Sequence, residues 1–142
     1  MSRPNILFIM SDQHSRSHLG CYGDGLVRTP NLDRLASEGM TFTNAYTPAP
    51  LCVPARMAFM TGRRPNANQV WTNNHILSSG VPTWAQALGA AGYETALIGR
   101  MHFVGADQRH GFALRPLGEY GATHPGAPKE GGPILKNIPD TL

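Results

Sequence analysis

Residues 6–10, Ile-Leu-Phe-Ile-Met, restrict the possible fold more than any other stretch of the chain. No polar residue interrupts this run, so both faces of an extended segment would be apolar. Such a pattern is typical of a strand inside a parallel sheet that is covered on both sides. Asp12 follows this run after Ser11, and ligands of open α/β sheets bind beyond the carboxyl ends of strands. The sequence therefore predicts an α/β fold with Asp12 at its ligand edge; a helix cap or turn is the alternative role for this carboxylate.

The order of the following elements favours a mostly parallel sheet flanked by helices. Thr29, Pro30 and Gly39 are typical of the cap, the first residue and the end of a helix. A second helix is predicted at residues 84–91, capped by Thr83, and strands are predicted at 41–46 and 93–99. Because the order strand, helix, helix, strand is typical of an α/β sheet, we expect crossover connections.

Residues 47–64 contain Cys52, Arg56 and three prolines. The prolines restrict the backbone, which predicts a stiff loop around Cys52 and a helix at residues 55–60 that ends at Gly62. A helix N-terminus attracts anions, and Arg56 lies one turn along the same segment. This pattern predicts a nucleophile beside an anion site. The alternative is a small buried cysteine and an unrelated surface arginine.

Length and composition exclude several classes of protein. A chain of 142 residues suits one domain, and a net charge of +3 with scattered basic residues gives no support to a nucleic-acid surface. The two cysteines, Cys21 and Cys52, are too few for a secreted disulfide framework. The N-terminal residues do not form a signal peptide, and no stretch is long enough to span a membrane. We therefore expect a cytoplasmic protein without a membrane partner.

Several motifs, in this order, resemble the sulfatase family of the alkaline phosphatase superfamily. The first is the N-terminal run that ends in Ser-Asp-Gln, and the second is Cys-Val-Pro-Ala-Arg at residues 52–56, followed by Met-Thr-Gly-Arg at 60–63. The third is Gly-Arg-Met-His at 99–102, which continues as a stretch similar to the bacterial choline sulfatase and phosphonate monoester hydrolase branch. The resemblance covers nearly all of residues 1–112. It implies a sulfuric ester hydrolase that acts on a small sulfate ester.

The resemblance implies that a formylglycine-generating enzyme oxidises Cys52 to Cα-formylglycine during maturation. After hydration to a geminal diol, one oxygen would attack sulfur while Arg56 holds it, and collapse to the aldehyde would release sulfate. Asp12 and the modified Cys52 would bind a divalent metal, with calcium preferred over magnesium or manganese. The Cys52 thiol with His102 as its base is the alternative from the residues alone. A phosphatase loop is disfavoured because the prolyl segment after Cys52 cannot donate a series of N–H groups.

The resemblance also implies roles for the substrate-binding residues. Arg100 and His102 would contact the sulfate group, and Asn73 would help to line the site. The predicted catalytic residues are Cys52, Arg56, Arg100 and His102; the predicted substrate-binding residues are Asn73, Arg100 and His102; the predicted metal ligands are Asp12 and Cys52.

Three positions depart from the family pattern. Gln13 stands where many members have a second Asp, so only Asp12 is taken as a ligand. Ala55 stands where Ser is usual, and Arg100 stands where the family has Lys. Arginine keeps the charge and adds a planar fork of donors. No role is implied for Asp107 or for His110.

The resemblance further implies that the chain is the N-terminal part of a longer catalytic domain. Residues 1–114 would form that part, and residues 115–142, in which proline and glycine interleave, would form a loop or tail. Because the family takes further metal ligands from its C-terminal half, we expect the chain to be inactive alone. The alternatives are a phosphodiesterase or phosphonate monoester hydrolase on the same scaffold and a non-catalytic fragment. Homo-oligomerisation of the full-length form stays open.

Overall fold

The structure is a computed structural model that describes residues 3–118, which fall into two compact regions, residues 3–45 and 46–118. The first region contains short 3-10 turns at Arg16–His18 and Gly20–Tyr22 and helix α1 (Pro30–Glu38). The second contains helices α2 (Cys52–Thr61), α3 (Pro65–Asn68) and α4 (Trp84–Ala90) and strands β1 (Ala96–Ile98) and β2 (Leu114–Leu117). Beyond position 118, the predicted tail lies outside the residues that the structure describes. No helix of the described residues is long and apolar enough to cross a bilayer.

Polar contacts hold α1 against the preceding turn in the first region. The Asp33 carboxylate accepts hydrogen bonds from the Cys21 N–H (2.7 Å) and from the Thr29 hydroxyl (3.0 Å). A Cβ at Gly20 would lie 2.5 Å from an Asp33 carboxylate oxygen, so a larger residue there would displace this carboxylate. The predicted bounds of α1 are confirmed. However, the Thr29 hydroxyl donates to Asp33 and accepts from the Gly20 N–H, and it caps no N–H of α1.

The predicted strands at 6–10 and 41–46 are wrong for the structure as described. Neither segment is a strand, and Leu7 and Ile9 are 82% and 77% exposed. A run that is apolar on both faces becomes a buried strand only between neighbouring strands and beneath covering layers. The sheet formed by the described residues contains only β1 and β2, so it gives residues 6–10 neither.

The second region has its own hydrophobic core. Strands β1 and β2 pair in parallel, with Ala96 opposite Leu114. Helix α4 begins with a complete capping box, in which Thr83 and Gln86 exchange side-chain and backbone hydrogen bonds, as predicted for Thr83. The buried cluster comprises Val53, Met57, Met60, Val70, Leu77, Ala85, Leu97, Met101, Phe103 and Phe112. Helix α2 therefore contributes one face to this core.

The strands of the second region differ in part from expectation. The strand predicted at 93–99 forms, but only over Ala96–Ile98, whereas β2 falls where residues from 115 onward were assigned to a loop. Pro116 suggested a break, yet strand pairing uses the Leu114 N–H, which donates to the Thr95 carbonyl, and the Leu117 carbonyl, which accepts from the Gly99 N–H. Because no N–H is required at Pro116, proline is tolerated in this edge strand.

Candidate active site

Cys52 is the first residue of α2, so its assignment to a loop ahead of the helix is wrong. Leu51 is extended (φ −126°, ψ 147°) and precedes the helix without providing a side-chain cap. Pro54 lies in the first turn, where a backbone N–H has no helical partner and proline is tolerated. Gly62 ends the helix in the left-handed region (φ 65°), as predicted. Cys52 is a half-buried free thiol at the N-terminus of this helix.

Asn73 supplies the cap that Leu51 lacks. Its Oδ1 accepts a hydrogen bond of 2.9 Å from the Val53 N–H, across 20 residues of sequence. An oxygen that accepts from an N–H of the first turn satisfies one of the helix's unpaired donors. The loop that contains Asn73 is thereby held against the turn that carries Cys52.

Arg56 joins α2 to the segment that follows β1. Its guanidinium is buried, with the residue 7% exposed, and Nη1 donates to the Arg100 carbonyl at 3.0 Å. A charged donor bound to a carbonyl in a buried position is strongly oriented. This hydrogen bond therefore links the helix of Cys52 to the backbone at Arg100.

Arg100 and His102 form a pair on this segment. Arg100 Nη2 lies 2.9 Å from His102 Nδ1. The backbone turns sharply here: Gly99 has φ 94° and His102 has φ 59°. Glycine adopts such angles freely, but histidine does so at a cost, which the surrounding contacts must offset. The two predicted sulfate-binding side chains are therefore adjacent to each other.

Asp12 belongs to the first region, whereas the other five predicted site residues belong to the second. It is exposed, as are most side chains of the segment that leads to it. Among residues 3–118, no three His, Cys, Asp or Glu side chains are grouped to hold a metal. The assignment of Asp12 and Cys52 as metal ligands stays a prediction.

The sequence gave no role to Asp107 and His110, but the structure pairs them. His110 is 2% exposed, and its Nδ1 lies 3.4 Å from Asp107 Oδ2. Burial lowers the pKa of His110, partly opposed by the Asp107 charge and reinforced by Arg115. Burial acts to raise the pKa of Asp107, but the N–H groups of His110 and Arg109 outweigh it and lower that pKa. The Asp-x-x-His spacing was the available signal.

Comparison with known proteins identifies the family to which this chain belongs. The structure is a partial α/β domain in which a cysteine begins a helix beside an anchored, cation-bearing segment. The sequence model of the sulfatase family matches residues 4–130. The chain is 47% identical over 116 residues to the choline-sulfatase of Rhizobium meliloti (strain 1021), covering 80% of this chain and 22% of that protein. The chain therefore belongs to the sulfatase family.

Other relatives and solved structures agree. The human steryl-sulfatase is 41% identical over 128 residues, covering 82% of this chain and 22% of that protein. A solved structure of a protein in complex with its substrate D-glucosamine-2-N,6-O-disulfate has a TM-score of 0.76 at 37% identity, covering 82% of this chain and 23% of that one. The phosphonate monoester hydrolase of Agrobacterium radiobacter has a TM-score of 0.70 at 28% identity, covering 79% and 25%. The predicted family and α/β fold are confirmed, and the chain spans a quarter or less of these relatives.

Proposed function

We propose that this chain provides the nucleophile and part of the anion site of a sulfuric ester hydrolase. One structural observation carries the proposal: two long-range hydrogen bonds fix the first turns of α2. Asn73 accepts a hydrogen bond from the Val53 N–H, and Arg56 donates one to the Arg100 carbonyl. Cys52 begins this helix. Catalytic groups act efficiently when the surrounding structure fixes them in advance.

The proposed chemistry begins with the oxidation of Cys52 to formylglycine by a formylglycine-generating enzyme and with hydration of the aldehyde. One hydroxyl of the diol loses its proton and attacks the sulfur of the ester, the bond from sulfur to the alcohol oxygen breaks, and that oxygen takes up a proton and leaves as the alcohol. Arg56, Arg100 and His102 lie on the elements that would face the sulfuryl group. Fixed positive charges and hydrogen-bond donors there offset the charge that builds up on the sulfuryl oxygens.

The second half of the reaction releases sulfate without attack of water on sulfur. The remaining hydroxyl of the diol loses its proton, the bond from carbon to the sulfate oxygen breaks, and the aldehyde re-forms. Water then hydrates the aldehyde and restores the diol. A serine or cysteine ester has no equivalent route, which is why a modified Cys52 suits this reaction.

A divalent metal fits the type of donors that the chain offers, although not their number. Asp12 and a diol oxygen on modified Cys52 are hard oxygen ligands of the kind that calcium or magnesium prefers. Calcium takes about six to eight such ligands, and among residues 3–118 no three His, Cys, Asp or Glu side chains are grouped to hold a metal. When bound, the metal would supply Lewis-acid stabilisation of charge. The proposed activity therefore needs ligands from outside residues 3–118.

A phosphonate monoester hydrolase is the second candidate, favoured by the similarity to the Agrobacterium radiobacter structure. Sulfate and phosphate esters have similar shapes but differ in charge. Matched aryl sulfate, phosphate and phosphonate esters would separate the two functions. A sulfatase should prefer the aryl sulfate, whereas faster turnover of the phosphonate would favour the alternative.

The first experiment tests maturation. The chain is co-expressed with a formylglycine-generating enzyme, and the tryptic peptide that ends at Arg56 is analysed by mass spectrometry. We expect a mass loss that corresponds to conversion of the Cys52 thiol to an aldehyde. The variant Cys52→Ala should abolish this conversion, and the matched variant Cys21→Ala should leave it intact.

An unmodified Cys52 thiol would contradict the formylglycine mechanism and favour a non-catalytic chain. Conversion without hydrolysis is the expected result for this chain alone. Activity should then appear only when the C-terminal part of a sulfatase relative is supplied. Continued inactivity of the converted chain with that part present would argue against the hydrolase.

A further inference from the structure

The segment at residues 71–75 is an exposed turn that is anchored at three points. Val70 and Leu77, on either side of it, are 0% and 2% exposed and belong to the core of the second region. Between them, the Asn73 side chain accepts the hydrogen bond from the Val53 N–H, which directly follows Cys52. The turn is therefore held beside the first residues of α2.

Backbone and side-chain contacts fix the imidazole of His75 within this turn. The Thr72 N–H donates to His75 Nδ1 at 3.1 Å, and the Thr72 hydroxyl lies 2.8 Å from the same atom. Because a backbone N–H can only donate, Nδ1 is the acceptor and carries no hydrogen. The neutral imidazole therefore has its N–H group at Nε2, and no acceptor for this group lies among residues 3–118.

Trp71 adds an aromatic face to the same turn. It is 51% exposed, and its ring contacts the His75 imidazole edge to face, with ring centroids 5.3 Å apart and an interplanar angle of 82°. The indole N–H is a donor only, and within the described part of the chain it has no acceptor either. The turn thus presents an aromatic face together with two hydrogen-bond donors, the Nε1–H of Trp71 and the Nε2–H of His75.

The position of this turn suits the alcohol portion of an ester. In an in-line displacement, the alcohol leaves on the side of sulfur opposite to the attacking oxygen, so the groups that recognise it must lie beside Cys52 and not at it. Asn73 contacts the N–H that follows Cys52, and the Cα atoms of Trp71 and Asn73 are at most about 7.6 Å apart because two residues separate them. The indole is therefore close enough to contact an ester bound at Cys52.

We propose that Trp71 and His75 form the subsite for the alcohol portion of the substrate, and that this portion is a hydroxylated ring, as in a sugar sulfate. This inference rests on the proposed hydrolase function. The apolar C–H face of a sugar ring packs on the indole, and its hydroxyl oxygens accept hydrogen bonds from the two N–H groups. Both residues determine specificity and take no part in the bond-breaking steps.

An alcohol with a quaternary ammonium group is the alternative occupant, because the face of an indole attracts cations. Such a group accepts no hydrogen bond, so it would leave both N–H donors unpaired, which weakens binding. Residues 46–118 also contain six arginines and only two carboxylates, Glu94 and Asp107. The charge of this region therefore opposes a cation and favours the neutral hydroxylated ring.

The first test compares two esters in the converted chain with the C-terminal part of a sulfatase relative supplied. D-Glucose 6-sulfate carries the hydroxylated ring, and choline sulfate carries the cation. Trp71→Ala should lower kcat/KM for glucose 6-sulfate about tenfold, and His75→Ala should lower it about two- to tenfold because one donor is lost. Trp71→Phe keeps an aromatic face and should lose less than Trp71→Ala. For choline sulfate, all three variants should stay within about twofold of the unmutated chain.

A matched control separates this subsite from exposed aromatic residues in general. Tyr46→Ala removes a side chain of the same region that is 90% exposed and lies outside the turn, and it should change neither ester. Because every variant is assayed with the same C-terminal part, differences between variants report on this chain. Equal losses for both esters in Trp71→Ala would show that Trp71 supports the assembly and would overturn the subsite. A larger loss for choline sulfate would overturn the assignment to a hydroxylated ring.

The second test measures binding and requires no turnover. In ¹⁵N–¹H correlation spectra of the same assembly, the indole signal that disappears in Trp71→Phe belongs to Trp71. We expect glucose 6-sulfate to shift this signal and inorganic sulfate to leave it in place. A signal that does not move with glucose 6-sulfate, or that moves equally with inorganic sulfate, would overturn the subsite whatever the activity. An unmutated assembly that hydrolyses no ester would refute the proposed hydrolase, while a shift confined to glucose 6-sulfate would still support the subsite.

Discussion

Each of the two regions contains family motifs, but the regions differ in the contacts that stabilise the segments carrying these motifs. Among residues 3–45 no side chain is buried, and the contacts that organise α1 are polar, such as those of Asp33. Among residues 46–118 the cysteine-bearing helix packs on a buried apolar cluster that includes Met57 and Phe103. The motifs of the first region are therefore stabilised by polar contacts, whereas those of the second region are stabilised by apolar packing.

This difference separates the predicted site into two parts. Cys52, Arg56 and the segment at Arg100 belong to a region whose own packing fixes them. The predicted metal ligand Asp12 follows a segment whose apolar side chains stay largely exposed. Burial of apolar area is the main stabilising contribution in folding. We infer that the anion-binding part of the site is the more firmly organised of the two.

The largest expected effect comes from the core of the second region. Phe103 is fully buried, whereas Leu7 in the first region is 82% exposed. We expect Phe103→Ala to lower the free energy of unfolding by about 3–5 kcal/mol, because it leaves a cavity. We expect Leu7→Ala to change it by about 0.5 kcal/mol or less. Urea titration followed by far-ultraviolet circular dichroism, which reports on the helices of both regions, measures both. Equal losses would show that the first region is as firmly packed as the second.

Arg56 should have the next largest effect, because it serves both the fold and the proposed chemistry. Arg56→Met leaves the Arg100 carbonyl without its charged donor and should cost about 1–3 kcal/mol of stability. The loss of this charge from the site should lower kcat of the converted enzyme by about 10²- to 10³-fold. The exposed Arg64→Met is the matched control. If activity survives while stability falls, Arg56 only supports the structure.

Asn73 tests whether the long-range cap positions Cys52. Asn73→Ala removes the acceptor for the Val53 N–H and should cost about 1 kcal/mol. Asn73→Asp keeps an oxygen acceptor at a helix N-terminus and should restore most of that stability. Asn74→Ala, at the exposed neighbouring position, is the control. If Asn73→Ala changes KM for an aryl sulfate and leaves stability intact, Asn73 would be a substrate ligand and not a cap.

The sequence predicts best those elements whose signals are local. The bounds of α1 follow from Pro30 and Gly39, and the start of α4 follows from the Thr83 capping box, in which every partner lies within four residues. Such caps depend on the nearest backbone groups and require no knowledge of the rest of the fold. These predictions were accordingly confirmed.

The predictions that failed, or stayed incomplete, depended on distant partners. The start of α2 was misplaced because its cap comes from Asn73, 20 residues away. The bond from Arg56 to the Arg100 carbonyl spans 44 residues, and only the general proximity of the two was expected. Strand β2 was missed because Pro116 indicates a break unless the pairing of its neighbours is known. The family resemblance predicted that these residues share one site. Only the structure shows the hydrogen bonds between them.

The smallest expected effect concerns His110. It compares the two regions by how much a histidine of each contributes to the pH dependence of stability. Its folded-state pKa is lowered below 6.5, chiefly by burial, so the unfolded chain binds a proton more readily than the folded chain does. Stability should therefore be fully present above pH 6.5 and fall as the pH drops through that value toward the folded-state pKa. The slope for one proton cannot exceed about 1.4 kcal/mol per pH unit.

The charges that face His110 are Asp107 and Arg115, and they act in opposite directions on its pKa. Asp107 titrates below its ordinary value of 3.8, so it does not contribute between about pH 5 and 7. Urea titrations across that range should show less slope in His110→Gln than in the unmutated chain. The control His14→Gln removes an exposed histidine of the first region and should keep the slope. If the two variants flatten it equally, the burial of His110 is not what makes stability depend on pH, and the contrast between the regions fails at this point.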